Sequence, residues 1–97
     1  ILEGNDMYTK KAKVVNPLGI HGRAASVFTH TASQFSSHVF VERADDSMKK
    51  ANAKSVVFVL ALCLAQNDEI ILSADGPDEK EAVEALIECL KTLDQAE

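Results

Sequence analysis

The chain has 97 residues, 46% hydrophobic and 26% charged, the composition of one small globular domain and not of a disordered segment. Fifteen acidic against ten basic side chains give a net charge of −5, with no Trp and a single Tyr. That balance, without a basic run, argues against a nucleic-acid binder and against a partner of anionic lipid.

A chain of this length leaves no room for two domains with a cleft between them. Its longest apolar stretch, Val56–Ala65, is half of the ~20 residues a membrane-spanning helix needs, so no membrane insertion is expected. Cys63 and Cys89 match neither a metal spacing nor a disulfide framework, and both are expected as small buried core residues in a reducing compartment. Residues 1–6 are neither basic nor followed by an apolar segment. They read as an N-terminal extension or cloning remnant, with Met7 as the natural start and 7–97 as a single cytoplasmic domain.

Tyr8–Val15 reads as an edge strand, with Tyr8, Ala12 and Val14 on one face and Lys11 and Lys13 on the other. Asn16-Pro17-Leu18-Gly19 breaks it with strong turn formers. From Ala24 the period becomes helical: Ala24, Val27 or Phe28, Thr31 and Phe35 are spaced for one face of a helix of about three turns. Val39-Phe40-Val41 reads as a short strand, Asp45-Asp46-Ser47 as a polar turn and Met48–Ala51 as a partner strand.

Val56–Ala65 is apolar all round, which suits a buried strand or a buried helix. Its length and the N-cap oxygen of Ser55 favour the helix. Glu69–Ala74 is a strand, and Asp75-Gly76-Pro77-Asp78 turns the chain, with Pro77 suited to the first turn of a helix. Ala82, Val83, Leu86, Leu90 and Leu93 then mark one face of a final helix, whose acidic start at Asp78, Glu79 and Glu81 suits the helix dipole. The order is β-α-β-β-α-β-α, an α+β arrangement without repeat or linker.

Three histidines are present. His30 lies inside the first helix and His38 begins a strand; both read as partly exposed structural residues, and their spacing suits no zinc motif. His21 differs, standing where a glycine-containing turn hands over to a helix, just before Arg23. The backbone N–H groups around Gly22, Arg23 and Ala24 have no intrahelical partner and carry the positive end of the dipole. An anion is stabilised there, phosphate above all. Arg23 adds a permanent charge on a planar fork matched to phosphate oxygens. A neutral imidazole beside it is a nucleophile near pH 7, so the pattern reads as a phosphoryl acceptor. A histidine that merely caps the helix, beside a solvated Arg23, is the alternative these residues leave open.

Gly19-Ile20-His21-Gly22-Arg23-Ala24-Ala25-Ser26 resembles the active-site motif of HPr, the histidine-containing phosphocarrier family of the phosphoenolpyruvate-dependent phosphotransferase system. Lys54-Ser55-Val56, opening the apolar helix, is similar to the family's regulatory serine segment, and the likeness runs from Met7 to Leu93. The resemblance implies an open-faced β-sandwich, a four-stranded antiparallel sheet with three helices on one face. It implies a stoichiometric carrier and not an enzyme, with no cofactor and no metal. Enzyme I would phosphorylate His21 on Nδ1, Arg23 and the amides of Gly22, Arg23 and Ala24 would balance the phosphate, and enzyme II-type partners would receive it. A serine kinase acting on Ser55, and an apolar docking patch at Val56, Phe58 and Val59, are implied in the same way.

The sequence departs from the family pattern in places. Gly22 stands where Ala, Ser or Thr is usual, Ala24 replaces the commoner proline, and the polar hairpin before Ser55 is longer. Phe58 and Cys63 fall in the second helix, where sugar-pathway members carry small glycines. Ala51-Asn52 and Asp75-Gly76-Pro77 look more like the nitrogen-related branch. The second functional reading is therefore a regulatory binding module of that branch, acting by docking and switched by phosphorylation of His21.

Overall fold

The computed structural model describes residues 7–93, so the extension read at 1–6 and the tail of the domain at 94–97 lie outside the described residues. Its elements are β1 (Tyr8–Lys13), α1 (Arg23–Ser33), β2 (His38–Arg43), β3 (Asp46–Asn52), α2 (Val56–Ala61), β4 (Glu69–Asp75) and α3 (Glu79–Thr92). The expected order holds throughout. The four strands form one antiparallel sheet in the order β1-β4-β2-β3.

Alternation decides which face of the sheet is covered. Val39, Val41, Ile70, Leu72, Ala74 and Ala51 are buried beneath the helices. Phe40 and Ile71, pointing the other way, stay half-exposed, and the Lys50 ammonium lies 4.9 Å from the Phe40 ring centroid. On the covered face α3 crosses β1, β4 and β2, α2 lies beside β3, and α1 packs between the two other helices. Among the described residues no helix is long and apolar enough to cross a membrane.

The final helix buries the expected stripe, Ala82, Val83, Leu86, Leu90 and Leu93, with Cys89 added. Pro77 does not occupy its first turn: Asp78 is the N-cap and Pro77 precedes it. Nor does Asp78 cap this helix with its side chain. Its carboxylate accepts from the backbone N–H groups of Ser36 and Ser37, each at 2.9 Å, and from the Ser37 hydroxyl, tying the start of α3 to the segment between α1 and β2.

In α1 the buried face is Ala24, Ala25, Phe28, Thr29 and Ala32, while Val27 and Thr31 sit at its half-buried edge. Phe35 falls beyond the helix end and still packs on the core.

The hairpin between β2 and β3 turns earlier than its polar residues suggest. Arg43 pairs with Asp46, so Ala44-Asp45 make the turn and Asp46 already belongs to β3. The register then shifts, and Met48, 89% exposed, sits where the ladder is irregular.

The largest correction concerns Val56–Ala65. The helix ends at Ala61, Leu62 caps it, and Cys63 takes a left-handed φ of 53°. Helices often end on such a residue, but it is usually glycine, which carries no Cβ penalty. Cys63 is therefore exposed outside the helix and not a core residue; Cys89 is buried as expected. Burial pushes the Cys89 thiol up from its ordinary pKa, against a weaker opposing contact from the Thr31 hydroxyl.

Candidate functional site

His21 is carried on a loop that the sequence ties down before the helix begins. The Gly19 N–H donates to the Asn16 carbonyl at 2.9 Å, and the Asn16 amide donates to the Gly19 carbonyl at 2.7 Å. Ile20 is buried and anchors the loop to the core, leaving His21, Gly22 and Arg23 exposed beyond it. Gly22 is the N-cap of α1, with φ 59° and ψ −135°. That backbone region is essentially reserved for glycine, so the residue stands outside the helix rather than weakening its first turn.

A second loop, residues 62–68, supports the first. The Ile20 N–H donates to the Leu64 carbonyl at 3.0 Å. A Cβ on Gly19 would lie 2.3 Å from that same oxygen, so this contact requires glycine. His21 borders an open depression of about 380 Å³ whose walls include Leu18, Ile20, Leu60, Cys63 and Leu64.

Arg23 is the first residue of α1 and borders a different depression, of about 480 Å³, with Ser26, Val27 and His30. The two side chains named for phosphate chemistry thus flank the helix start without sharing a cavity. Among the described residues the Arg23 guanidinium has no ion pair. The remaining candidate phosphate ligands, the N–H groups at the start of α1, lack intrahelical partners as at any helix N-terminus.

Ser55 is the N-cap of α2, its hydroxyl accepting from the Phe58 N–H at 3.4 Å, a long capping bond. The helix presents Val56, Val57, Phe58 and Leu60 to the outside, with Phe58 60% exposed. Val59 does not belong with them. It is 0% exposed, because the inward face of this short helix must close over β3, and it has no surface to offer a partner. Val57 and Leu60 complete the exposed patch; which residues of an all-apolar run face inward depends on the helix phase, which the run itself does not reveal.

His30 is exposed, with its Nε2 3.1 Å from the Gln34 amide, and His38 is exposed at the start of β2 opposite Asp75. Among the described residues no group of three or more His, Cys, Asp or Glu is arranged to hold a metal. Two residues near the site carried no sequence signal, Arg43 and Asp68. Arg43 pairs with Asp45 at 3.0 Å and with Asp68 at 3.1 Å. Hydrogen bonding to Asp45 and Asp68 raises the Arg43 pKa against partial burial, and Arg43 in turn lowers that of Asp45.

Residues 8–92 match the protein-family pattern described as PTS HPr component phosphorylation site. Phosphocarrier protein HPr of Neisseria meningitidis serogroup A is 39% identical over 84 residues, which span 87% of this chain and 91% of that protein. The HPr-like protein Crh of Bacillus subtilis is 38% identical over 80 residues, spanning 82% and 91% respectively. HPr from Thermoanaerobacter tengcongensis superposes with a TM-score of 0.84 at 36% identity, over 94% of this chain and 99% of that one. Sequence and fold agree over nearly the whole described length, well beyond the loop around His21. The chain belongs to the HPr family of phosphocarrier proteins of the phosphotransferase system.

Proposed function

We propose that His21 is the residue on which this phosphocarrier holds its phosphoryl group, received from phospho-enzyme I and passed to enzyme II-type partners in the cytoplasm. The observation that supports the residue is its setting: an exposed imidazole on a braced loop, between a buried Ile20 and the N-terminus of α1, with Arg23 on the first helical turn. His30 lies inside α1 and His38 in β2, so neither stands at the start of a helix. Arg23 borders the same depression as His30, and it is the helix N-terminus that distinguishes His21.

The transfer is a displacement at phosphorus. The Nδ1 lone pair of His21 attacks, a P–N bond forms, and the donor's bond to phosphorus breaks with its electron pair staying on the donor. The phosphoryl oxygens then face the N–H groups of Gly22, Arg23 and Ala24, where the dipole favours negative charge. Arg23, which has no ion pair among the described residues, turns its guanidinium over them from the neighbouring depression. Onward transfer runs the same step in reverse and returns His21 unchanged, so the protein carries the group and turns over no substrate of its own.

Ser55 is proposed as a second, regulatory phosphorylation site for a serine kinase. A phosphate on an N-cap is compatible with the helix dipole, so it leaves α2 folded and places charge beside Val56 and Phe58. A second functional reading, regulation by docking in a nitrogen-related branch, draws on the exposed apolar face of α2.

Incubation with phosphoenolpyruvate and enzyme I tests the acceptor. Label is expected on His21, acid-labile and stable to alkali, and absent from a folded His21→Ala variant. Label that persists in that variant, or maps to His30 or His38, removes the assignment. Fast onward transfer to sugar-specific acceptor domains supports carriage; its absence from a phosphorylated protein favours the docking reading.

A further inference from the structure

The loop that braces His21 is itself held by a charge relay starting on the far side of the hairpin. Arg43, the last residue of β2, donates through Nη1 to the Leu62 and Cys63 carbonyls, at 3.0 and 3.2 Å, where the chain leaves α2. The same nitrogen pairs with Asp68 Oδ2 at 3.1 Å, and that oxygen also accepts the Ala65 N–H at 2.8 Å. The Ala65 N–H and the Leu64 carbonyl belong to one peptide group. A peptide is planar, so aiming its N–H at Asp68 also aims its C=O, and that carbonyl receives the Ile20 N–H.

We propose that Arg43 and Asp68 are positioning residues for phosphoryl transfer, setting the placement of His21 through the Leu64–Ala65 peptide. The proposal rests on His21 being the acceptor. Neither residue borders the depression beside His21, so neither touches the transferred group. The Ile20-to-Leu64 and Ala65-to-Asp68 bonds act in series through one peptide, so each polarises the other, while Arg43 holds the Asp68 oxygen that receives the second. Gly19 lets the two loops meet at backbone distance, so a shift of the Leu64 carbonyl is passed to Ile20 without a side chain to absorb it. Asp45, bound to Nε of Arg43 at 3.0 Å, keeps the guanidinium turned toward the loop. Transfer between two proteins is sensitive to this: a misplacement of about 1 Å in the reacting atoms can cost ~100-fold in rate.

The test compares Arg43→Met, Arg43→Lys, Asp68→Asn and the Arg43→Met/Asp68→Asn double variant with the wild type. Tyr8→Phe, which loses the hydroxyl's bond to Glu84 at the opposite edge, serves as a control for general destabilisation. Two quantities are read: amide hydrogen exchange at Ile20 in the unphosphorylated protein, and kcat and KM for phosphorylation by phospho-enzyme I.

In Arg43→Met the Ile20 amide is expected to exchange about tenfold faster, and kcat to fall about tenfold with KM within about twofold, the pattern of a lost transition-state alignment. Arg43→Lys keeps the charge and recovers part of both. The double variant is expected to be no worse than the more affected single one, because the two residues act in one relay. Tyr8→Phe leaves both quantities unchanged.

Wild-type exchange at Ile20 in folded Arg43→Met or Asp68→Asn overturns the proposal, and so does an unchanged kcat. If Arg43→Met does not fold, Arg43→Lys and Asp68→Asn carry the same comparison. A wild-type protein that takes no label on His21 removes the acceptor assignment instead, an outcome distinct from equal labelling of wild type and variants.

Discussion

At Arg23 and Gly22, chemistry is set by position on the backbone more than by contacts. Arg23 has no ion pair among the described residues, so its charge is available to an incoming phosphate and does little for the fold. Arg23→Ala is accordingly expected to melt with the wild type and to accept phosphate from enzyme I at least tenfold more slowly, a loss of ~1.4 kcal/mol or more in transition-state binding. Arg23→Lys is expected between the two, since an ammonium keeps the charge and loses the fork. Equal transfer rates in all three proteins would show Arg23 to be a bystander. Gly22 answers a different need: its φ of 59° lets the chain turn from His21 into α1 while both side chains remain exposed.

The element that departs furthest from its pattern is α2, and both of its ends are open to test. At its C-terminal end, Cys63 holds a left-handed backbone that costs a non-glycine residue about 1–2 kcal/mol. Cys63→Gly removes that cost and gives back about 0.4–1 kcal/mol through the looser unfolded chain. A net gain of roughly 0.5–1 kcal/mol is expected in denaturant melts. A clear loss would mean that the exposed thiol makes contacts that outweigh the strain. At its N-terminal end, Ser55→Asp keeps a good cap and its stability, whereas Ser55→Ala loses about 0.5–1 kcal/mol. If the α2 face docks partners, the new carboxylate beside Val56 and Phe58 costs about 1.4 kcal/mol and slows phosphorylation of His21 roughly tenfold below saturation. Ser55→Ala should transfer near the wild-type rate. Should Ser55→Asp also transfer at the wild-type rate across ionic strengths, Ser55 is only a cap.

Across the whole molecule, pH dependence comes from groups that tie elements together. The Ser37 hydroxyl and the Ser36 and Ser37 amides hold Asp78 below the usual carboxylate range, and the Tyr8 hydroxyl followed by Lys10 does the same for Glu84. A carboxyl with a lowered folded pKa contributes stability that is full above its unfolded value and is lost as pH falls through the folded one. Tyr8 and Lys10 are both raised, chiefly by hydrogen bonding to Glu84, so their contribution is full below their unfolded values and is lost as pH rises through the folded ones. Melting temperature is therefore expected to be flat from about pH 5 to about pH 9 and to fall on both sides. Asp78→Asn should lower the plateau and flatten the acid side, while Tyr8→Phe should flatten the alkaline side. An acid limb as steep in Asp78→Asn as in the wild type would mean that other carboxyls carry it.

How much of this was legible in the sequence follows from which interactions are local. Element order, the stripe of α3, the loop before α1 and the settings of His21, Arg23 and Ser55 rest on periodicity, turn formers and capping within a few residues, and these are readable one window at a time. The resemblance to HPr added the sheet topology, which no window contains. The interior of Val56–Ala65 was not legible, because an unbroken apolar run conceals both its helical phase and its stopping point. Tertiary packing, with α2 set against both α1 and β3, turned Val59 inward. The helix stops at Ala61 and Cys63 takes a glycine-like conformation just before Leu64 meets Ile20, a contact between distant segments that no local window contains. Arg43 and Asp68 were equally silent, since a charged residue near a turn looks solvated until the fold brings the carbonyls of a distant loop within its reach. Local chemistry, then, was determined by the sequence itself, while the support beneath His21 was decided by tertiary structure, because hydrogen bonds between loops far apart in the chain exist only once both loops are in place.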